Sequence, residues 1–210
     1  MNRYIRYATL TLALGATLLA PESVGAAAMS RSDFRADMRK LWEDHVAWTR
    51  LFIVSATANL PDREATTRRL LQNQTDIGNA VKPFYGDAAG TKLTGLLNDH
   101  ITIAAEITDA ANAGNAAKKD AAVKRWQANA DDIAQFLSTA NPKHWPLGGM
   151  KTHMREHLDL TTAELTAHLG KDWAGSVAAY DKAHDQILAM ADMLSSGIVS
   201  QFPDKFGPAM

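Results

Sequence analysis

The chain has 210 residues, 46% of them hydrophobic and 21% charged, with a formal net charge of −1. That describes one globular domain with enough length for a buried core, without the basic excess of a nucleic-acid binder. Cysteine is absent, which excludes disulfides, thiolate metal ligands, thiol nucleophiles and covalent haem attachment.

In chain order, the first element is an address. Arg3 and Arg6 form a short basic region, residues 8–20 are apolar, and Pro21 is followed by small residues up to Ala28. This pattern predicts a secretory signal peptide over 1–28. The apolar run falls short of the about 20 residues that span a bilayer. The mature chain, from residue 29, is expected to be periplasmic or secreted, with no membrane association after cleavage.

Helical periodicity without internal Gly or Pro predicts a first helix over 30–59, ended by Leu60-Pro61-Asp62, with Asp62 as the next N-cap. A second helix is expected over 63–81 and is closed by Lys82-Pro83-Phe84-Tyr85-Gly86. A third covers 88–113, followed by the turn Gly114-Asn115. A fourth covers 116–140. A long loop, 141–149, precedes a fifth helix over 150–169, which Gly170 stops. A sixth runs over 171–201 and ends before Pro203. No stretch alternates with period two, so the fold class is all-α: a six-helix bundle.

Aligning the histidines exposes an internal repeat. His45, His100 and His157 each follow an acidic residue and precede apolar residues one and three positions on, at spacings of 55 and then 57 residues. The intervening helices carry polar pairs three apart: Asn73 and Asp76, Asn129 and Asp132, Asp181 and His184. The unit is an antiparallel helical hairpin, and three copies are expected at about 30–82, 88–140 and 150–201. In such a hairpin, residues equidistant from the turn sit at one height, so each His is expected to face the polar pair of its own hairpin. All three lie on apolar stripes, and a buried carboxylate needs a partner or a metal.

Known bundle chemistries are largely absent. There is no Glu-x-x-His pair for a di-iron centre and no His-Glu-x-x-His for a zinc protease. His153 and Glu156 form a His-x-x-Glu of the kind found in imelysin-like periplasmic proteins, without the rest of their pattern. No phosphate-binding Gly loop exists, so no nucleotide is expected, and no Ser sits in a triad context. Imidazoles with carboxylates suit Zn, Cu, Mn or Fe as divalent ions. The candidate ligands are His45, His100, His157, His184, Asp76, Asp132 and Asp181, with Glu164 as a further possibility. Glu164 and His168, four apart, also read as a surface pair. Trp126 stands on the face beside Asn129.

Leu41-Trp42-x-x-His45-x-x-Trp48-Thr49-Arg50, Leu60-Pro61-Asp62, Pro83-x-Tyr85-Gly86, Trp126-x-x-Asn129-Ala130-Asp131, Met154-x-x-His157 and Gly197-Ile198-x-x-Gln201-Phe202-Pro203 carry a resemblance over nearly the whole mature chain. The chain resembles a family of small, functionally uncharacterised bacterial proteins. Some members bear automatic labels such as glycosyltransferase or acetylglutamate kinase, chemistries built on α/β sheets that this sequence has no strands to form. The resemblance implies a helical bundle. It implies that His45, His100 and His157 occupy family positions, whereas His184 stands where Glu is usual.

Together these observations predict an exported bundle whose interior His/Asp cluster binds a divalent metal for storage, buffering or sensing. Two alternatives are a structural or interaction protein whose polar core only fixes helix register, and a metal-dependent enzyme. The non-enzymatic readings are favoured, since no catalytic residue is evident.

Overall fold

A computed structural model describes residues 29–207, so the expected signal segment 1–28 lies outside the described residues. Six helices make up nearly all of the rest: α1 (Arg31–Thr57), α2 (Arg63–Tyr85), α3 (Asp87–Asn112), α4 (Ala116–Ala140), α5 (Leu147–Leu169) and α6 (Trp173–Gln201), followed by a 3₁₀ turn, Pro203–Lys205. The described residues contain no strand beyond one isolated parallel bridge, Met29 to Phe206. No described helix is long and apolar enough to cross a membrane.

Local chemistry accounts for the helix ends. Ser30, Asn115 and Asp172 accept hydrogen bonds from the backbone N–H three residues on, at 3.4, 3.0 and 2.9 Å, which satisfies one orphan donor at the start of α1, α4 and α6. Asp62 precedes α2 without such a bond. Its carboxylate instead accepts from the Ser55 hydroxyl at 2.8 Å. The turns after α1, α3 and α5 share one construction. Asn59, Gly114 and Lys171 take left-handed φ values of 52°, 67° and 59°. The next residue's N–H then reaches back five positions, Leu60 to Ser55, Asn115 to Ala110 and Asp172 to Ala167, at 2.8–2.9 Å. This is the Schellman closure, which consumes orphan carbonyls at a helix end.

Three boundaries differ from the sequence expectation. α2 continues through Pro83 to Tyr85, because a proline in the last turn removes little of the hydrogen-bond ladder. Gly86, at φ 86°, is then the single residue linking α2 to α3. The loop before α5 ends at Pro146, with Gly148 and Gly149 in the first helical turn, where N–H groups need no intrahelical acceptor. α6 begins at Trp173 because Lys171 is left-handed.

Each helix packs against the next and α6 returns to α1, which closes a ring; α1 also touches α3 and α5 across it. α2 and α3 approach closely at Gly78 and Gly90, where a Cβ on Gly90 would stand 2.5 Å from the Gly78 carbonyl oxygen. α4 and α5 are the most loosely packed neighbours in the ring. Phe34, Phe84 and Phe206 seal the end where α1 starts, with centroids 5.1–5.6 Å apart. The three Schellman turns form the opposite end.

Candidate functional site

His45, His100 and His157 project from the middles of α1, α3 and α5, and all three are buried, at 3%, 3% and 4% exposure. They meet ring against ring. The His157 centroid lies 5.5 Å from that of His45 and 6.2 Å from that of His100. Trp42 flanks His45 edge-on at 5.8 Å, and Trp126 lies against His100 at 5.1 Å.

Side-chain amides surround this layer. His100 Nδ1 bonds Asn129 Oδ1 at 2.8 Å, while Asn129 Nδ2 donates to the Leu96 carbonyl at 3.0 Å. An amide oxygen accepts, so His100 carries its proton on Nδ1 and Nε2 keeps a lone pair. Gln74 Nε2 lies 3.3 Å from His45 Nδ1 and donates to Leu70 O at 2.8 Å; the neighbouring Asn73 donates to Leu41 O at 3.0 Å. Gln186 donates to His153 O at 3.1 Å. Its Oε1 and the His157 Nδ1 both lack a hydrogen-bond partner, although Gln186 lies close enough to favour the charged imidazole slightly. His45 and Gln74 are 29 residues apart, as are His100 and Asn129. Gln186 stands at the same remove from His157. Leu41, Leu96 and His153, whose carbonyls are capped, each lie one helical turn before a layer histidine.

Burial dominates the electrostatics. It depresses His45 well below the usual imidazole range, helped by repulsion from His157 and His100. It lowers His100 to about 3 and His157 to about 4. All three are therefore neutral at pH 7, the protonation state a metal requires. Several orphaned polar atoms belong to residues of this layer: Trp42 and Trp126 Nε1, Gln74 and Gln186 Oε1, and His157 Nδ1. Such groups normally have a partner when buried.

One turn beyond the layer, towards the Schellman turns, Thr49, Ala104, Trp126 and Thr161 border an axial cavity of roughly 30 Å³, room for about one or two waters. Beside it, Arg50 donates to Glu164 at 2.7 Å and to Ser176 Oγ at 3.1 Å. The Arg50 guanidinium also lies 5.2 Å from the Tyr180 ring. Burial raises the Glu164 pKa, with Arg50 opposing.

The structure thus brings together His45, His100 and His157 and leaves the other candidates outside. Asp132 and Asp181 are exposed. Asp76 is half-buried, bonded to Gln72 at 2.9 Å. His184 meets Glu43 at 3.2 Å on the outer side. Glu164 is buried and ion-paired, not on the surface, and its interhelical partner is Arg50 rather than His168. No carboxylate enters the layer, where burial would cost it its hydration. Among the described residues, no three His, Asp or Glu side chains are placed to hold a metal as they stand. Gln74 and Gln186, missed by spacing from approximate turns, become legible once the offset is measured from the left-handed turn residue. No protein-family model, curated protein or solved structure matches the chain.

Proposed function

We propose that the chain is an exported metal-binding bundle whose centre is His45, His100 and His157. The carrying observation is the convergence of three neutral imidazoles, with an amide bonded to Nδ1 of His45 and of His100. Histidine ligands characteristically donate their second ring N–H to an acceptor, as His100 does to Asn129; at His45 the Gln74 amide nitrogen is the donor, so that ring must change tautomer to bind an ion through Nε2. With no carboxylate in the layer itself, the donor set suits zinc or copper better than manganese or iron. As placed, the rings do not form a coordinating group, so binding requires them to reorient. The ion would supply positive charge beside the unpartnered amide oxygens of Gln74 and Gln186, consistent with storage or sensing.

The equal offsets and the three identical turns also support reading the domain as three copies of one hairpin, with each His and its amide as a register pin. The amide bonds favour this second reading, in which the layer fixes register and binds nothing.

The deciding experiment is metal analysis of protein purified without a His tag, with thermal unfolding followed with and without zinc. We expect one ion per chain and, at a hundredfold excess over Kd, about 2.7 kcal/mol of stabilisation. His45→Ala/His100→Ala/His157→Ala should abolish both. Absence of bound ion with an unmoved melting curve overturns the metal reading and leaves the register layer.

A further inference from the structure

Beyond the histidine layer, the molecule holds a second feature suited to a ligand. At the turn end, a cleft of about 480 Å³ opens between α4, α5 and the α3–α4 turn, within the range of small-molecule pockets. Its walls are small and apolar, among them Ala110, Ala111, Val123 and Leu169. Ile107, Thr162 and Leu165 line both this cleft and the axial cavity, which continues inward past Phe52, Ile53 and Ile101. The cleft and the cavity therefore share a wall along one path from the surface to the bundle axis.

The path is suited to a hydrocarbon chain. The hydroxyls of Thr49, Thr108 and Thr161 along it each donate to a carbonyl of their own helix, at 2.7–2.9 Å, so they present methyl groups without an unmet donor. The mouth is different. Asn115, Ala116 and Lys119 border it, and α4 has no acidic residue in its first turn. The start of a helix favours negative charge. Asp120 also lines the mouth and lies 3.6 Å from Lys119, an exposed pair at 67% and 43% that neutralises the lysine only in part.

We propose that the cleft forms a site for a single-chain anionic amphiphile, a fatty-acyl carboxylate. Its head lies at Lys119 and the start of α4, and its chain lies in the cleft between α4 and α5, against the wall that Ile107, Thr162 and Leu165 share with the axial cavity. The site does not depend on whether an ion occupies that layer.

Calorimetric titration of the metal-free and the zinc-treated protein with dodecanoate, below its micelle concentration, tests this directly. One saturable site is expected in both. Shortening the chain to decanoate should weaken binding by about fourfold for each methylene lost from the buried segment. Ala111→Trp fills the cleft from α3 and Thr166→Trp from α5; either, with its melting curve intact, should abolish saturable binding. Lys119→Glu should weaken dodecanoate several-fold and leave dodecanol unaffected. Absence of a saturable site overturns the proposal, as does binding indifferent to chain length or to both tryptophan variants. An equal response of acid and alcohol to Lys119→Glu overturns the placement of the head.

Discussion

The two halves of the bundle, on either side of the histidine layer, are built on different principles. Towards the aromatic end the interior is filled by large side chains. Trp145 is 1% exposed, sits over Gly197 and donates to the Met193 carbonyl, and Ile187, Met190 and Ile198 are at most 1% exposed. Towards the Schellman turns, four threonines and Ala104 interrupt the apolar lining of the axis, and Phe52, Leu70 and Ile101 of that lining belong with Ala56 to a small cluster separate from the main core. That half also holds buried Glu164 with its half-buried partner Arg50, the axial cavity and the cleft between α4 and α5. A tightly packed half fixes the fold with dispersion and burial. The other half, sharing the same six helices, has the space and polarity that a ligand needs and is correspondingly less optimised for packing.

Acid breaks the comparison at its boundary, with the largest effect. An unfolded imidazole titrates near 6.5, whereas the folded layer stays neutral down to about 4 for His157 and about 3 for His100. Below 6.5 the unfolded chain takes up protons that the folded chain refuses, so stability falls with pH. Each imidazole contributes about 1.4 kcal/mol per pH unit, and three contribute about 4. Helicity should therefore be lost cooperatively between about pH 6 and pH 4, most of the stability of an ordinary domain. Circular dichroism with urea melts across that range measures the slope; a slope of less than one proton would mean that the layer is hydrated and charged.

Arg50→Met probes the open half. It strands Glu164, whose side chain is 3% exposed, and should cost about 3–5 kcal/mol at pH 7. Burial already raises the Glu164 pKa, so the carboxyl protonates as pH falls and the difference from the parent protein should shrink at pH 5.5. A difference that stays constant would show that the penalty comes from lost packing alone. The smallest effect sharpens the contrast between halves. Ala104 borders the axial cavity, whereas Ala134 is fully buried in the packed half. Ala104→Ile should be neutral or stabilise by about 0.5–1 kcal/mol, since it fills space. Ala134→Ile should destabilise by about 1–3 kcal/mol through overpacking. Equal responses in urea melts would erase the distinction between the halves.

Much of the candidate site was legible because helical periodicity and a repeated word, an acidic residue then His, survive in a linear reading. His45, His100 and His157 share buried faces for that reason, and Asn129 was within reach of the same argument. Asp76, Asp132, Asp181 and His184 were not separable from Gln74 and Gln186 by composition. A shift of two or three residues in the assumed turn rotates a helix by more than half a turn, and this carries a core position to the surface. The left-handed conformation of Lys171, unusual for a lysine, starts α6 later than expected and sets the third register. The sequence leaves Glu164 between an interior ligand and a surface pair with His168, and only the fold delivers Arg50 of α1 to it from 114 positions away.

By itself the sequence determined the helical class, the number of helices, the positions of the turns and which histidines belong to apolar faces, because periodicity, capping and glycine conformation act over a few neighbouring residues. Only the tertiary structure decided that these imidazoles stand against one another, two of them with amide partners, that no carboxylate joins their layer, and that one half of the axis is left partly empty. Those outcomes depend on helix rotation and on the fit of distant side chains, which short-range rules do not constrain.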